Sequence, residues 1–485
     1  MSSTHQSTPA SAVQMGHART DITPPVGIYH PMWGAARHHR ATGIHRPLFA
    51  DILVFAPSAD ADIGNRAPWV QVQIDMVGLG SRELHESMRD AVADGAKVDP
   101  AQVVFAYSHT HAGGLFSPDR VHLPGGDMIL PYLDEVRAKL YAAAEAARAD
   151  LAEAILTYGT GSCTLARNRD FWDTERQIYA CGFNPDQPTD DTLLVVRATA
   201  PDGTLRATVV NYACHPTTLA WDNTLISPDY VGALRETVES ATGAPCIFTL
   251  GACGDIGPRQ GFVGDTAVAD ANGREVAYAA LSVLTAMDPA GQDFAYQGPV
   301  VSGATLGAWG HAPWTEARRQ AARLYRGGNN QVELQQIPRP DPAKLEQEMQ
   351  HWLSSAQQAD SQGEAIAARD FGARAERARR WLQRLRNLPA GPTYPFGFTV
   401  RRMGDAYWVS CGGEPYNFLQ TSLRAAFPDH PIVLTVMAGE LSVAYLLTAE
   451  SYGKGLYQEE PSILAAGCLE ELTEAVIDSI EELAG

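Results

Sequence analysis

No two cysteines stand in a C-x-x-C arrangement. The seven present, Cys163, Cys181, Cys214, Cys246, Cys253, Cys411 and Cys468, are widely spaced and odd in number. That pattern argues against a thiolate zinc cluster and points to reduced thiols in a cytoplasmic protein. Basic residues are scarce: 37 Lys and Arg stand against 56 Asp and Glu, a net charge of −19. A surface this acidic excludes sequence-independent nucleic-acid binding and docking on anionic lipid. No apolar run approaches the roughly 18 residues of a membrane span. The first residues show neither a charged nor an apolar signal region, and 1–14 read as a disordered tail. H-E-x-x-H, G-x-S-x-G, a Walker loop and G-x-G-x-x-G after a strand are all missing.

What is present is globular. Hydrophobic residues make up 45% and charged residues 19% of 485. Val70, Val72 and Ile74 alternate with polar residues as in a half-buried strand. Ser81 caps a helix carrying Leu84, Met88 and Val92. Val103–Tyr107 and Cys246–Leu250 are short apolar runs typical of buried strands. Leu193–Thr199 and Leu205–Ala213 flank the turn Pro201-Asp202-Gly203 and read as a hairpin. A helix is expected near 229–241, strands at 394–402, 406–411 and 432–437, and a final helix with Leu469, Leu472, Val476 and Ile480 on one face. Between about 313 and 390 the chain turns rich in Arg, Gln, Ala and Glu with helical spacing, which predicts an inserted helical hairpin. The expectation is an α/β fold with mixed sheets, two of them packed together and flanked by helices, filling 15–485.

Three candidate residues share one position. His109, His215 and Glu414 each come just after a buried strand, where α/β folds gather ligands and catalytic groups. His109-x-His111 places two imidazoles on one side of an extended backbone. Two His and a carboxylate form a familiar catalytic zinc set with an open position for water. Alone, H-x-H reads equally as two loop histidines, His215 as a hydrogen-bonded core residue, and Glu414 as a carboxylate at a helix N-terminus. The loop Gly251–Pro258 reads as a close-packing turn or an anion cradle. His38, His39 and His45, with Arg37 and Arg40, read as a polar loop. Arg369, Arg374, Arg377, Arg379, Arg380, Arg384 and Arg386 on the hairpin read as a solvated face pairing with an acidic body, with an anion-attracting lid or a subunit contact as alternatives.

Taken together the motifs resemble the neutral (non-lysosomal) ceramidase family, zinc-dependent amidases. In order they are Ala18-Arg19-Thr20-Asp21-Ile22-Thr23-Pro24, Gly43-Ile44-His45-Arg46-Pro47-Leu48-Phe49-Ala50, Ser108-His109-Thr110-His111-Ala112-Gly113, Arg167-Asn168-Arg169, Ala213-Cys214-His215-Pro216-Thr217-Thr218, Gly413-Glu414-Pro415, and Tyr445 through Tyr452 to Tyr457. The resemblance implies Zn2+ held by His109, His215, Glu414 and Tyr445. It implies His111 as general base, with Arg169 and Tyr457 holding the scissile carbonyl oxygen. The family's G-D-V-S-P serine is Gly257 here, and the motifs end with the catalytic part, so no C-terminal β-sandwich is expected.

The function this implies is a zinc-dependent amidohydrolase, EC 3.5.1-like, in which a zinc-bound water attacks a linear N-acyl amide. An esterase, lactonase or carbamate hydrolase on the same scaffold is the alternative, and a non-catalytic ligand-binding member stands behind both. The expected partner is a small amide or ester, with homo-oligomerisation through the hairpin left open.

Overall fold

The computed structural model describes residues 4–59 and 67–484. Its central element is an eight-stranded mixed sheet. From one edge to the other the strands are Cys246–Leu250, Leu205–Tyr212, Thr192–Thr199, Ala152–Ser162, Ala10–Asp21, Phe49–Pro57, Trp69–Ile74 and Val103–Tyr107. Interior pairs are antiparallel, and the outermost pair at each edge is parallel. A second sheet has the order Tyr325–Gln335, Thr393–Met403, Ala406–Cys411 and Ile432–Thr435.

The two sheets pack face to face. Along Phe49–Pro57, Leu53 and Phe55 point to the second sheet, while Ile52 and Val54 point the other way. This is the period-two alternation of a strand buried on both sides. Between the sheets Phe55 stacks on Trp69 at 4.8 Å between ring centroids, and Trp408 of the second sheet lies 5.2 Å from Phe55. Removing such a ring costs about 3–5 kcal/mol. Helices cover both outer faces. Ile129–Ala149, Tyr230–Thr242 and Thr266–Ala286 lie on the large sheet, and Phe418–Ala426 and Cys468–Ala484 on the small one. The expected pair of packed sheets flanked by helices is therefore the observed architecture. Ser81 caps the helix Arg82–Ala96 by accepting from Leu84 N–H at 3.3 Å, as its position predicts.

Three expectations need correction. Residues 10–14 of the expected tail belong to the strand Ala10–Asp21, in which Ala10, Val13 and Met15 are buried; residues 1–3 lie outside the described residues. Small and polar side chains mask the alternation there, and the partner strands come from 49–57 and 152–162. The segment 313–390 is helical only in part. It begins with the helix Glu316–Ala322 and the strand Tyr325–Gln335, and its helical hairpin is Pro342–Ser361 and Ala365–Asn387. The strand was hidden by Gly327-Gly328-Asn329-Asn330, poor strand formers. It pairs with Thr393–Met403, so Gln335 and Thr393 face each other and the hairpin emerges from their ends. The strand expected to reach Met437 ends at Thr435, because the next residues bond elsewhere.

Those next residues position the site. Val436 N–H donates to Leu250 O at 2.9 Å, and Met437 O accepts from Tyr107 N–H at 3.3 Å. Leu250 and Tyr107 end the two opposite edge strands of the large sheet. The sheet curls until both edges are stitched to one short segment, and the loops beyond them open into the same space. Among the described residues no helix is long and apolar enough to cross a membrane.

Candidate metal centre and cavity

His109 follows Val103–Tyr107, His215 follows Leu205–Tyr212, and Glu414 follows Ala406–Cys411. The curl described above brings all three together. His109 Nε2 and His111 Nε2 are 3.2 Å apart, as are His111 Nε2 and His215 Nε2. Glu414 Oε2 lies 3.5 Å from His109 Nε2 and 3.7 Å from His215 Nε2. The two histidines of H-x-H converge by a different route from the extended backbone expected. His109 has φ of 64°, a left-handed conformation that a residue with a Cβ adopts at a cost of about 1–2 kcal/mol. Strain of this kind persists where the surroundings enforce it. Here His109 N–H bonds Met76 O at 3.0 Å and the imidazole Nδ1–H donates to Val77 O at 2.6 Å.

A carbonyl only accepts, so Nδ1 carries a proton, and Nε2 is the nitrogen turned to the site. Nε2 faces Glu414 Oε2, a buried acceptor with no hydrogen-bond partner among the described residues. Burial alone would raise the Glu414 carboxyl. His109, Tyr445 and Arg169 outweigh it and hold the group below its ordinary value. Burial, with the neighbouring charges of Arg169 and the other histidines, pushes His111 and His215 well below the usual imidazole range. An ionised carboxylate oxygen left without a donor among buried imidazoles is costly unless a cation lies between them. Metal–nitrogen bonds of 2.0–2.1 Å in a tetrahedron put donors about 3.3 Å apart. The observed spacings suit a metal ion, and His109, His111 and His215 form a cluster able to hold one.

Arg169 is buried and anchored: Nε and Nη2 donate to Gly254 O at 3.2 and 2.7 Å, and Nη2 also reaches Tyr445 Oη at 3.1 Å. Burial and the Glu414 carboxylate push the Tyr445 hydroxyl well above its ordinary value. The Tyr457 ring is 6.0 Å from that of Tyr445 and 49% exposed, at the rim of the site. Arg169 and Tyr457 thus stand next to Tyr445, and Tyr445 lines the same cavity as His109, His111 and Glu414. The Gly251–Pro258 loop serves close packing: a Cβ on Gly254 would lie 2.4 Å from Glu414 O, and one on Gly251 2.4 Å from Gln420 Oε1. At Gly257 the nearest atom to a Cβ would be Thr217 Oγ1 at 3.6 Å, so a serine fits there. The N-terminal polar loop is tied elsewhere, His38 to His30 at 2.8 Å and His45 to Ser227 at 2.9 Å.

His109, His111, Glu414, Tyr445 and Tyr457 line a cavity of about 410 Å³, with His215 sealed behind them. Its walls include Met32, Trp33, Leu115, Leu441 and one face of Ala365–Asn387. Sequence reasoning missed Trp33, which packs on His111 with centroids 4.9 Å apart; no pattern around it signals the contact. The helix Ala365–Asn387 is pinned rather than solvated along this face. Glu376 accepts from Arg120 Nη1 and Nη2, both at 2.7 Å, and Gln383 donates to Gly80 O at 2.6 Å.

No family model matches the chain, and no curated protein does. Solved structures do. The neutral ceramidase from Pseudomonas aeruginosa superposes with a TM-score of 0.63 at 16% identity, over 99% of this chain and 75% of that one. A ceramidase complexed with C2 gives 0.61 at 16% identity, over 98% and 75%. The chain has a neutral ceramidase-like fold.

Proposed function

We propose that this chain is a zinc-dependent hydrolase of linear, N-acyl-type amides. The observation that supports it best is Glu414 Oε2, which has no hydrogen-bond partner among the described residues and lies 3.5 and 3.7 Å from the Nε2 atoms of His109 and His215, beside a largely apolar-walled cavity. His109, His215 and Glu414 are the ligands, with the Tyr445 hydroxyl alongside. The set is mixed nitrogen and oxygen, the type that suits zinc. Zinc held there would supply Lewis acidity and an activated water near neutral pH.

The chain's own residues supply the rest. His111 is the general base. It is the most exposed of the three imidazoles, at 9%, and lines the cavity, whereas His215 is sealed at 0%. Kept neutral by burial and by the charges around it, His111 accepts a proton at Nε2 and returns it to the departing amine nitrogen. Arg169, locked by Gly254 O, presents its charge to the carbonyl oxygen, and Tyr457 closes the rim. The apolar walls receive the acyl chain and exclude water. Ceramidases act on an amide, and sharing their fold favours the amide reading here.

A second reading, an ester or carbamate substrate, is favoured by Gly257, where the resembling motif carries a serine. Matched amide and ester substrates with the same acyl chain decide between them by the ratio of kcat/KM. The amide reading expects turnover of the amide that disappears with chelation and returns with zinc. Cleavage of the ester alone would replace it.

A further inference from the structure

The helix Ala365–Asn387 brings Arg377, Arg380 and Arg384 to the cavity wall. Two of them are matched. Arg380 Nε donates to Glu376 Oε1 at 2.8 Å, and Arg377 pairs with Glu348 at 2.8 Å and Glu460 at 3.4 Å. Arg384 is different. Its guanidinium lies over the Trp381 ring, 5.2 Å from the centroid, and its buried Nε has no hydrogen-bond partner among the described residues. Glu460 and Glu414 act on it only through space. Burial, with the like charge of Arg380 second to it among the lowering effects, brings its pKa down to about 10, so it stays charged at neutral pH. The Arg384 guanidinium is therefore a charged group without a hydrogen bond or ion pair among the described residues, on the wall of the same cavity that His109 and Glu414 line.

We infer that Arg384 is a specificity residue that receives a single carboxylate on the substrate, so that the amide cleaved is an acylated amino acid or a close analogue. The inference rests on the amidase reading. The Arg384 guanidinium, without a partner among the described residues, matches a single negative charge, which selects a carboxylate over a doubly charged phosphomonoester. Its planar fork suits a carboxylate bidentately, and the stacked indole holds it in place. A neutral ceramide leaves the charge unanswered.

Zinc-loaded protein should be titrated calorimetrically with N-dodecanoylglycine and N-dodecanoylglycinamide, which differ only in the charged group. The expected result is binding of the acid at least about tenfold tighter, with the preference abolished in Arg384→Gln and partly kept in Arg384→Lys. Equal affinities, or binding of neither probe, would overturn the inference. So would a preference that survives Arg384→Gln, since the carboxylate would then be held by the metal. If Arg384→Gln does not fold, Arg384→Lys carries the test: an undiminished preference there overturns it. Hydrolysis of the two probes is followed separately. Its absence counts against the amidase reading, while the affinity ratio reports on Arg384 whether or not either probe is cleaved.

Discussion

His111 Nε2 and His215 Nε2 stand 3.2 Å apart across 104 residues of sequence. Contact between two neutral imidazoles has little to recommend it as a source of stability: neither nitrogen is well supplied with a donor, and both rings are buried. The spacing is that of adjacent ligands or of a ligand beside a base. Substitution separates the roles. His109→Ala and Glu414→Ala should each abolish stoichiometric zinc and activity together. His111→Ala should keep zinc and lose about 10²–10⁴-fold in kcat. Metal analysis with steady-state kinetics checks this, and loss of zinc from His111→Ala would move it into the ligand set.

Arg169 is held by a carbonyl rather than a carboxylate, which leaves its charge available. Arg169→Lys should lower kcat by about 10²–10³-fold with little change in KM, because a point charge cannot span both Gly254 O and the reacting oxygen. A rise in KM alone would assign it to ground-state binding.

Gly254 and Gly257 make a matched pair. Gly254→Ala drives a methyl into the Glu414 and Pro415 backbone, and should cost about 1–3 kcal/mol and weaken zinc binding. Gly257→Ala meets only ordinary contacts and should change stability by less than about 0.5 kcal/mol. Urea denaturation of the two variants tests the contrast.

The hairpin is anchored by an ion pair between buried Arg120 and part-buried Glu376. Burial would raise the Glu376 carboxyl, but Arg380 and Arg120 outweigh it and hold it at about 2, below its ordinary 4.5. A depressed carboxyl adds stability above its unfolded value and loses that stability as pH falls through the folded one. Glu376→Gln should therefore cost about 1–3 kcal/mol near neutrality, because buried Arg120 loses its two-pronged partner and keeps only Asp119, 3.2 Å from its Nε. The gap to the unaltered protein should narrow between pH 4.5 and 2. Denaturation at pH 7 and pH 3 measures it, and a gap independent of pH would contradict the assignment.

The sequence shows the candidate site more clearly than it shows the fold. His109, His215 and Glu414 follow short apolar runs, and a strand end is visible in a pattern of side chains. Strand order is not. That Leu250 and Tyr107, on opposite sheet edges, both bond the segment 436–437 depends on long-range pairing, for which no local pattern exists. The strand Ala10–Asp21 escaped because Ala and Ser carry little alternation, and Tyr325–Gln335 because glycines and asparagines occupy its middle. Trp33 and Arg384 take their meaning from the cavity they line, and the cavity is a product of the assembled layers.

The most direct measurement is anomalous diffraction at the zinc edge from crystals of the purified protein. The account predicts one peak at about 2.0–2.2 Å from His109 Nε2, His215 Nε2 and a Glu414 oxygen. A site without such a peak in zinc-saturated crystals, with Glu414 turned away from both imidazoles, would contradict it.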